Sequence, residues 1–519
     1  MRLLPRHPSR WQRAAIVALP LMIWAALVVR SDRWPSGDGP HVLGASMRLA
    51  MDLRAGEFTD FARGFASLLA PHPPGAYLPW TLAYLVAGPG RWTHLLASAG
   101  LLALCWDGVR RLGGGASGAV WLAAPALIWA QAELGGVDLV AATAAVQAVS
   151  HLAASDRLQR RPHVIGWGLW MGVGFLSKYT FPMFLWAPCA LAGVWVARHQ
   201  RWPALVTAIG AFFAVAGIWY AARFDDVISY IAASTAPDPF LVAARDLARG
   251  PWYAAENLSW YPAAALDAWG WGGAVGLIIG VLIQRRRDAL PDGRALALLA
   301  VAGAWLVLAQ SVQRQDRYLL PAVPLLAAVA GAARGAGWLS LPGLITLGGT
   351  LWTFISVELV PSNRDFSHEL AQAGRSWPMP AEAYRPVSLD PRPWRVDEAL
   401  TAIAAAHGAP DGTVGLLLDD SRGAPGMGLY LFRAGSLGFR WDLATVSVAR
   451  EAGGRLRSMT FVGPFATEDW PDRSFNVLYS AFTPGDEARE AWLEERELAP
   501  SLVWALPDGG EGRLYPSVP

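Results

Sequence analysis

Charge is what this sequence has least of. Only 16% of its 519 residues are Asp, Glu, Lys or Arg, where a soluble globular chain carries roughly 25%. Hydrophobic residues make up 54%, and mean hydropathy is +0.29. That balance argues against an ordinary soluble domain and points to a membrane protein. Cysteine is also scarce: Cys105 and Cys189 are the two present, each inside an apolar run. They read as small buried hydrophobes, with no disulfide framework implied. A formal net charge of +2 leaves no electrostatic footprint for nucleic acid. No small-residue cleavage site follows the first apolar run, Ala14–Val29, so with Arg2, Arg6, Arg10 and Arg13 before it this run reads as a retained signal anchor. No internal repeat of fixed period is found. What is abundant is tryptophan, 27 residues, suited to interfacial belts and to packing.

A spanning helix needs about 20 apolar residues. The runs that qualify are Ala14–Val29, Trp92–Trp106, Ala116–Glu133, Val137–Ala154, His163–Ser177, Thr180–Ala197, Pro203–Ala222, Pro262–Ile283, Ala295–Val312, Tyr318–Ala333 and Trp338–Leu359, about eleven spans. The segment "HPPGAYLPWTLAYLVAG", from His72 to Gly88, is apolar but short and crowded with prolines. Charge decides its placement, because cytoplasmic loops carry the Lys/Arg excess. If it does not cross, Arg110–Arg111, Arg157 with Arg160 and Arg161, Arg198 with Arg201, Arg285–Arg287 and Arg334 all fall inside. If it crosses, the first three clusters land outside. It is therefore expected to lie on the outer surface, held by its Tyr and Trp residues. The same topology puts His41–Arg54 and Glu57–Leu69, both amphipathic, in a long outer loop.

After Pro361 the composition changes. Ser362–Pro393 is polar and proline-rich, as a linker is. "RVDEALTAIAAAHG" reads as a helix with acids in its first turn and a terminal glycine. "TVGLLLDD", "LATVSV" and "SFNVLYSAF" read as strands, "GMGLYLFRAG" as a short helix and "GDEAREAWLEERE" as a charged helix. "SLVWALPDGGEGRLYPSV" is a hairpin around Asp508–Gly510. The expected organisation is a mainly α polytopic membrane bundle over 1–360, a linker over 361–393 and an extracytoplasmic α/β domain over 394–519. The N-terminus is then cytoplasmic.

With the helices oriented, scattered ionisable residues fall at one depth on the outer side. They are Asp38 in "SGDGPH", His72 before a Pro-Pro pair, Asp138 in "ELGGVDLVAA", Lys178 in "GFLSKYTF" and Arg317 in "RQDRYLLPAVP". Charges at the edge of hydrocarbon are costly and often mark sites or ion pairs. Taken singly, each has a plainer reading. Asp38 reads as a solvated loop acid, Lys178 as a snorkelling lysine, Asp138 as a helix N-cap, Arg317 as an interfacial anchor and His72 as an exposed loop residue. Their convergence is what points to a polar cavity. Asp32, Asp225, Asp226 and Asp316 read as structural, and Asp419–Asp420 as a solvated strand end.

The order of these elements resembles the GT-C integral membrane glycosyltransferases. That group includes protein O-mannosyltransferases and the lipid A aminoarabinose transferase, and the likeness resembles glycosyltransferase family 39 over roughly Ala14 to Ala333. "GFLSKYTF" is similar to the family's Gly-Leu-x-x-Leu-Thr-Lys element, with Ser177 where Thr is usual, and "RYLLPAVP" follows the family wording. "HPPGAYLPW" resembles the Lys-Pro-Pro-Leu segment, with His72 and Gly75 replacing its first and last residues. "SGDGPH" is similar to the first acidic motif, with Gly39 where a second acid is common.

The resemblance implies transfer of a sugar from a polyprenyl phosphate donor to a lipid, glycan or protein acceptor outside the cytoplasmic membrane. Asp38 would then act on the attacking hydroxyl. Lys178 and Arg317, with His72 and Tyr318, would bind the donor phosphate. Asp138 would bind sugar hydroxyls, orient a cation or help hold a metal. No cofactor is expected, since the missing second acid beside Asp38 leaves few oxygen ligands for a divalent ion. Two other classes compete: a transporter or flippase of lipid-linked sugars, and a membrane scaffold. A flippase calls for polar residues along the depth of the bilayer.

Overall fold

The computed structural model describes residues 39–67, 73–88, 91–114, 137–235, 246–247, 253–255, 257–262, 292–310, 313–314, 316–330, 396–407, 411–418, 440–450, 456–462, 466–468, 475–482, 487–506 and 511–518, with Gly118, Leu122 and Ala434. The expected spans Ala14–Val29 and Trp338–Leu359, all but the first residue of Pro262–Ile283, almost all of Ala116–Glu133, the expected linker, and nearly all of "GMGLYLFRAG" lie outside them. The chain divides into two compact units. One gathers residues 1–31, 95–132 and 136–386; the other gathers 32–94, 133–135 and 387–519.

The first unit is a helix bundle. Its helices are α4 (Arg91–Arg111, in this unit from Leu95 onward), α5 (Val137–Ala154), α6 (Arg161–Phe175), α7 (Pro182–His199), α8 (Trp202–Phe212), α9 (Ile218–Thr235, kinked at Arg223), α10 (Asp292–Leu308) and α11 (Ala322–Ala330). Helix α5 is rich in alanine, the best helix former, and from Asp138 to Val149 it is buried throughout. It packs against α6, α7, α10 and α11. Its interior polar groups are all engaged. Thr143 Oγ1 donates to the Leu139 carbonyl at 2.7 Å, Gln147 Nε2 to Leu104 at 2.6 Å and Ser150 Oγ to Gln147 at 2.9 Å. The Gln147 bond ties α5 to α4, while these two from Thr143 and Ser150 stay within α5. Cys105 and Cys189 are free thiols, as their apolar settings imply.

Helices α6 and α8 approach closely because α6 carries glycines on the facing side. A Cβ on Gly168 would strike the Ala208 carbonyl, and one on Gly172 would sit 2.7 Å from Val215 Cβ. Helix α8 runs through a π-turn, Phe213–Gly217, into α9. Among the described residues, Trp202–Ser229 is the one helix long and apolar enough to cross a membrane; Asp138–Ala154 and Gly293–Leu308 are shorter apolar helices. Val206, Phe213, Ile218 and Phe224 on it are all exposed, Ile218 at 82%. An apolar surface of that extent suits hydrocarbon.

The second unit contains α1 (Gly39–Ala55), α2 (Phe58–Ser67), a 3-10 turn at Pro74–Ala76 and α3 (Leu78–Ala87). Proline is accepted at the first turn of a helix, where its missing N–H costs nothing; Pro74 and Pro79 use this at both starts. Gly88 ends α3 with φ +78°, a conformation glycine adopts without penalty. Arg54 Nη2 donates to the Leu85 carbonyl at 3.0 Å and covers that end. The structure corrects one expectation. Tyr77, Trp80 and Tyr84, read as interfacial anchors, are buried, while Leu82 and Val86 are exposed. The helical period explains it: residues 77, 80 and 84 share one face, and 82 and 86 the other.

The same unit holds α12 (Val396–His407), α13 (Glu487–Glu495) and seven strands in the order β6-β5-β4-β3-β7-β9-β8. These are β3 (Asp411–Leu418), β4 (Arg440–Arg450), β5 (Leu456–Val462), β6 (Ala466–Glu468), β7 (Phe475–Phe482), β8 (Leu502–Ala505) and β9 (Glu511–Val518); β1 (Asp246–Leu247) and β2 (Gln313–Arg314) form a separate pair. β3 is parallel to β4 and β7, and β8–β9 is the expected hairpin. Val414, Leu416, Val477, Tyr479 and Leu514 pack with Ala399, Leu400 and Ile403 of α12. Leu416→Ala is expected to cost about 2–5 kcal/mol, seen as faster amide exchange of β3 and β7 in the full-length chain.

Candidate functional site

Asp138 is the second residue of α5, where the positive end of the helix dipole favours a carboxylate. Lys178 lies in the turn between α6, which ends at Phe175, and α7, which begins at Pro182. Lys178 Nζ forms an ion pair with Asp138 Oδ1. Both residues are buried, Lys178 at 6% exposure and Asp138 at 2%. Snorkelling is thereby excluded, because the ammonium ends on a buried partner and not in water. Lys178 Nζ also stands 5.3 Å from the centroid of the Tyr318 ring. That is within reach of a cation–π attraction. Removing one member of a buried ion pair leaves a stranded charge, so the two side chains depend on each other.

Arg317 precedes Tyr318 in the 3-10 turn Asp316–Leu319. Asp38 and His72 lie outside the described residues; Asp38 directly precedes α1. Thus the structure brings together Asp138, Lys178 and Tyr318. Asp226, read as structural, pairs with Arg223 at 3.2 Å. Among the described residues, no three or more His, Cys, Asp or Glu side chains are grouped to hold a metal ion.

The sequence contained a stronger signal for Lys178 than its motif. Of the 43 basic residues, Lys178 is the one lysine and the remaining 42 are arginine. A chain that uses arginine everywhere else keeps a lysine at this buried position. The two are not equivalent: an ammonium is a compact point charge, and a guanidinium is a planar fork with more donors.

A second polar group joins the opposite ends of α5 and α6 to the end of α4. Asp107 accepts from Arg110 and Arg111 at 2.8 and 2.6 Å. Arg111 Nη1 lies 2.8 Å from His151 Nε2, and His151 Nδ1 lies 3.3 Å from His163 Nδ1. Arginine only donates, so His151 accepts at Nε2 and carries its proton on Nδ1. Partial burial pushes the Asp107 carboxyl up, but hydrogen bonds from Arg110 and Gln147 and the charge of Arg111 outweigh it and leave it below its ordinary value. This group was not singled out in the sequence, since its members are spread over three helices.

No protein-family model and no curated protein matches the chain. Solved structures do. The chain is similar to ArnT from Cupriavidus metallidurans bound to undecaprenyl phosphate, with TM-score 0.56 and 13% identity, over 98% of each chain. It is also similar to ArnT from the same organism in the apo state, with TM-score 0.53 and 12% identity, over 96% of this chain and 97% of that one. At such identities the likeness is one of fold: the chain has a GT-C-like fold.

Proposed function

We propose that this chain is a GT-C glycosyltransferase of the cytoplasmic membrane that moves a sugar from a polyprenyl phosphate donor to an acceptor on the outer side. The observation that carries the reading is the chain's single lysine, buried against a carboxylate and an aromatic face, in a fold shared with a protein crystallised on undecaprenyl phosphate. In the reaction, an acceptor hydroxyl oxygen bonds to the anomeric carbon while the carbon–oxygen bond to the lipid phosphate breaks. The bonding pair leaves on the phosphate oxygen. Lys178 and Arg317 meet that charge, His72 and Tyr318 serve the same phosphate, and Asp38 takes the proton of the hydroxyl. Asp138 holds Lys178 in place. The prenyl tail stays in hydrocarbon while its phosphate reaches the site.

Two substitutions test this with a radiolabelled polyprenyl phosphate sugar in membranes. Asp38→Asn is expected to lower transfer by about 10²–10⁴-fold while undecaprenyl phosphate still binds. Lys178→Arg, which keeps the charge, is expected to weaken that binding, because a guanidinium does not fit the ammonium's place. Full transfer by both variants would take Asp38 and Lys178 out of the reaction; translocation of the donor without transfer by the wild type would make the chain a flippase, and neither activity would leave a scaffold.

A further inference from the structure

Helix α6 ends just before Lys178, and the four carbonyls of its last turn each accept a hydrogen bond. The Gly172 carbonyl accepts from Leu176 N at 3.0 Å and that of Val173 from Ser177 Oγ at 2.5 Å. Gly174 accepts from the N–H groups of Ser177 and Lys178 at 3.0 and 3.2 Å. These donors all belong to the turn itself. The last carbonyl, that of Phe175, accepts from Tyr220 Oη at 2.8 Å, and Tyr220 belongs to another helix. Terminal carbonyls of a helix have no intrahelical partner and need one from outside.

Tyr220 reaches Phe175 because of the π-turn at Phe213–Gly217, three residues upstream. The additional residue of a π-turn moves everything after it one place around the helix, by about 100°. The neighbourhood is tightly built. The Phe175 ring meets Phe212 at 5.1 Å, Phe181 at 5.9 Å and Tyr220 at 6.3 Å between centroids, all edge-on. A Cβ on Gly174 would collide with the Phe181 ring, so the turn has no slack on that side.

We propose that Tyr220 is a positioning residue for Lys178. Its hydroxyl fixes the end of α6, and that end sets where the following turn presents the ammonium to the donor phosphate. The proposal rests on the reading of Lys178 as the phosphate-binding cation.

The single lysine makes the test direct. Full-length protein carrying [13Cε]-lysine gives one lysine side-chain resonance. Tyr220→Phe keeps the ring and deletes the hydroxyl. It is expected to shift that resonance in the free protein and to weaken undecaprenyl phosphate binding about five-fold, the scale of one hydrogen bond. In a Lys178→Gln background the same substitution is expected to leave binding unchanged, since the two act through one group. An unmoved lysine resonance, or equal weakening in both backgrounds, overturns the proposal and leaves the function intact. Undecaprenyl phosphate binding unaltered by Lys178→Gln alone overturns the reading of Lys178, and the proposal with it.

Discussion

Asp138→Ala is expected to destabilise the bundle by about 3–5 kcal/mol, because it strands a buried ammonium. The loss reads out as a lower melting temperature of the purified membrane protein, and sugar transfer falls with it. That result alone does not separate chemistry from stability. The double substitution Asp138→Leu with Lys178→Met does, since apolar residues of similar size often replace a buried ion pair without loss. The double variant is expected to regain most of the lost stability and none of the transfer. Recovery of transfer would show the pair to be a staple between α5 and the α6–α7 turn, and the catalytic reading of Lys178 would have to be given up.

Glycine-to-alanine substitutions at two positions in helices are expected to have opposite signs. At Gly168 the added Cβ meets the Ala208 carbonyl, a backbone atom that moves only if α8 moves. Overpacking of this kind costs about 1–3 kcal/mol, and bulkier residues at 168 are expected to cost more. At Gly193, inside α7, an added Cβ meets nothing within 4 Å. There alanine is expected to stabilise, by up to about 1 kcal/mol of helix propensity. Thermal melts of the two variants check both signs. Equal effects would mean that the α6–α8 approach does not depend on Gly168.

The helices were legible wherever polar residues bracket an apolar run. Val137–Ala154 was expected at the bounds observed for α5, between Gly135–Gly136 and the polar stretch after Ala154. Elsewhere hydropathy misplaced the ends. Helix α6 starts two residues before His163, because Pro162 is accepted in its first turn. The run expected from Tyr318 becomes a 3-10 turn followed by a helix from Ala322, with Pro321 at the break. The run expected to stop at Ala222 meets a kink at Arg223, where φ −128° and ψ 19° leave the helical region, and a further helical stretch follows it to Thr235. Strands β5 and β6 were missed, because "RLRSMTFV" and "ATE" lack the apolar signal that marked β3 and β7.

By itself the sequence determined the low charge, the places of most of the described helices and the α/β pattern after Pro393, because each depends on residues near one another in the chain. It also held the single lysine in plain view. That Lys178 meets Asp138, 40 residues away, and that Tyr220 reaches Phe175, 45 residues away, only the tertiary structure decided. Helices α5 and α6 run antiparallel, so the start of one lies beside the end of the other. That arrangement comes from many interhelical contacts summed over both lengths, and no local stretch encodes the sum.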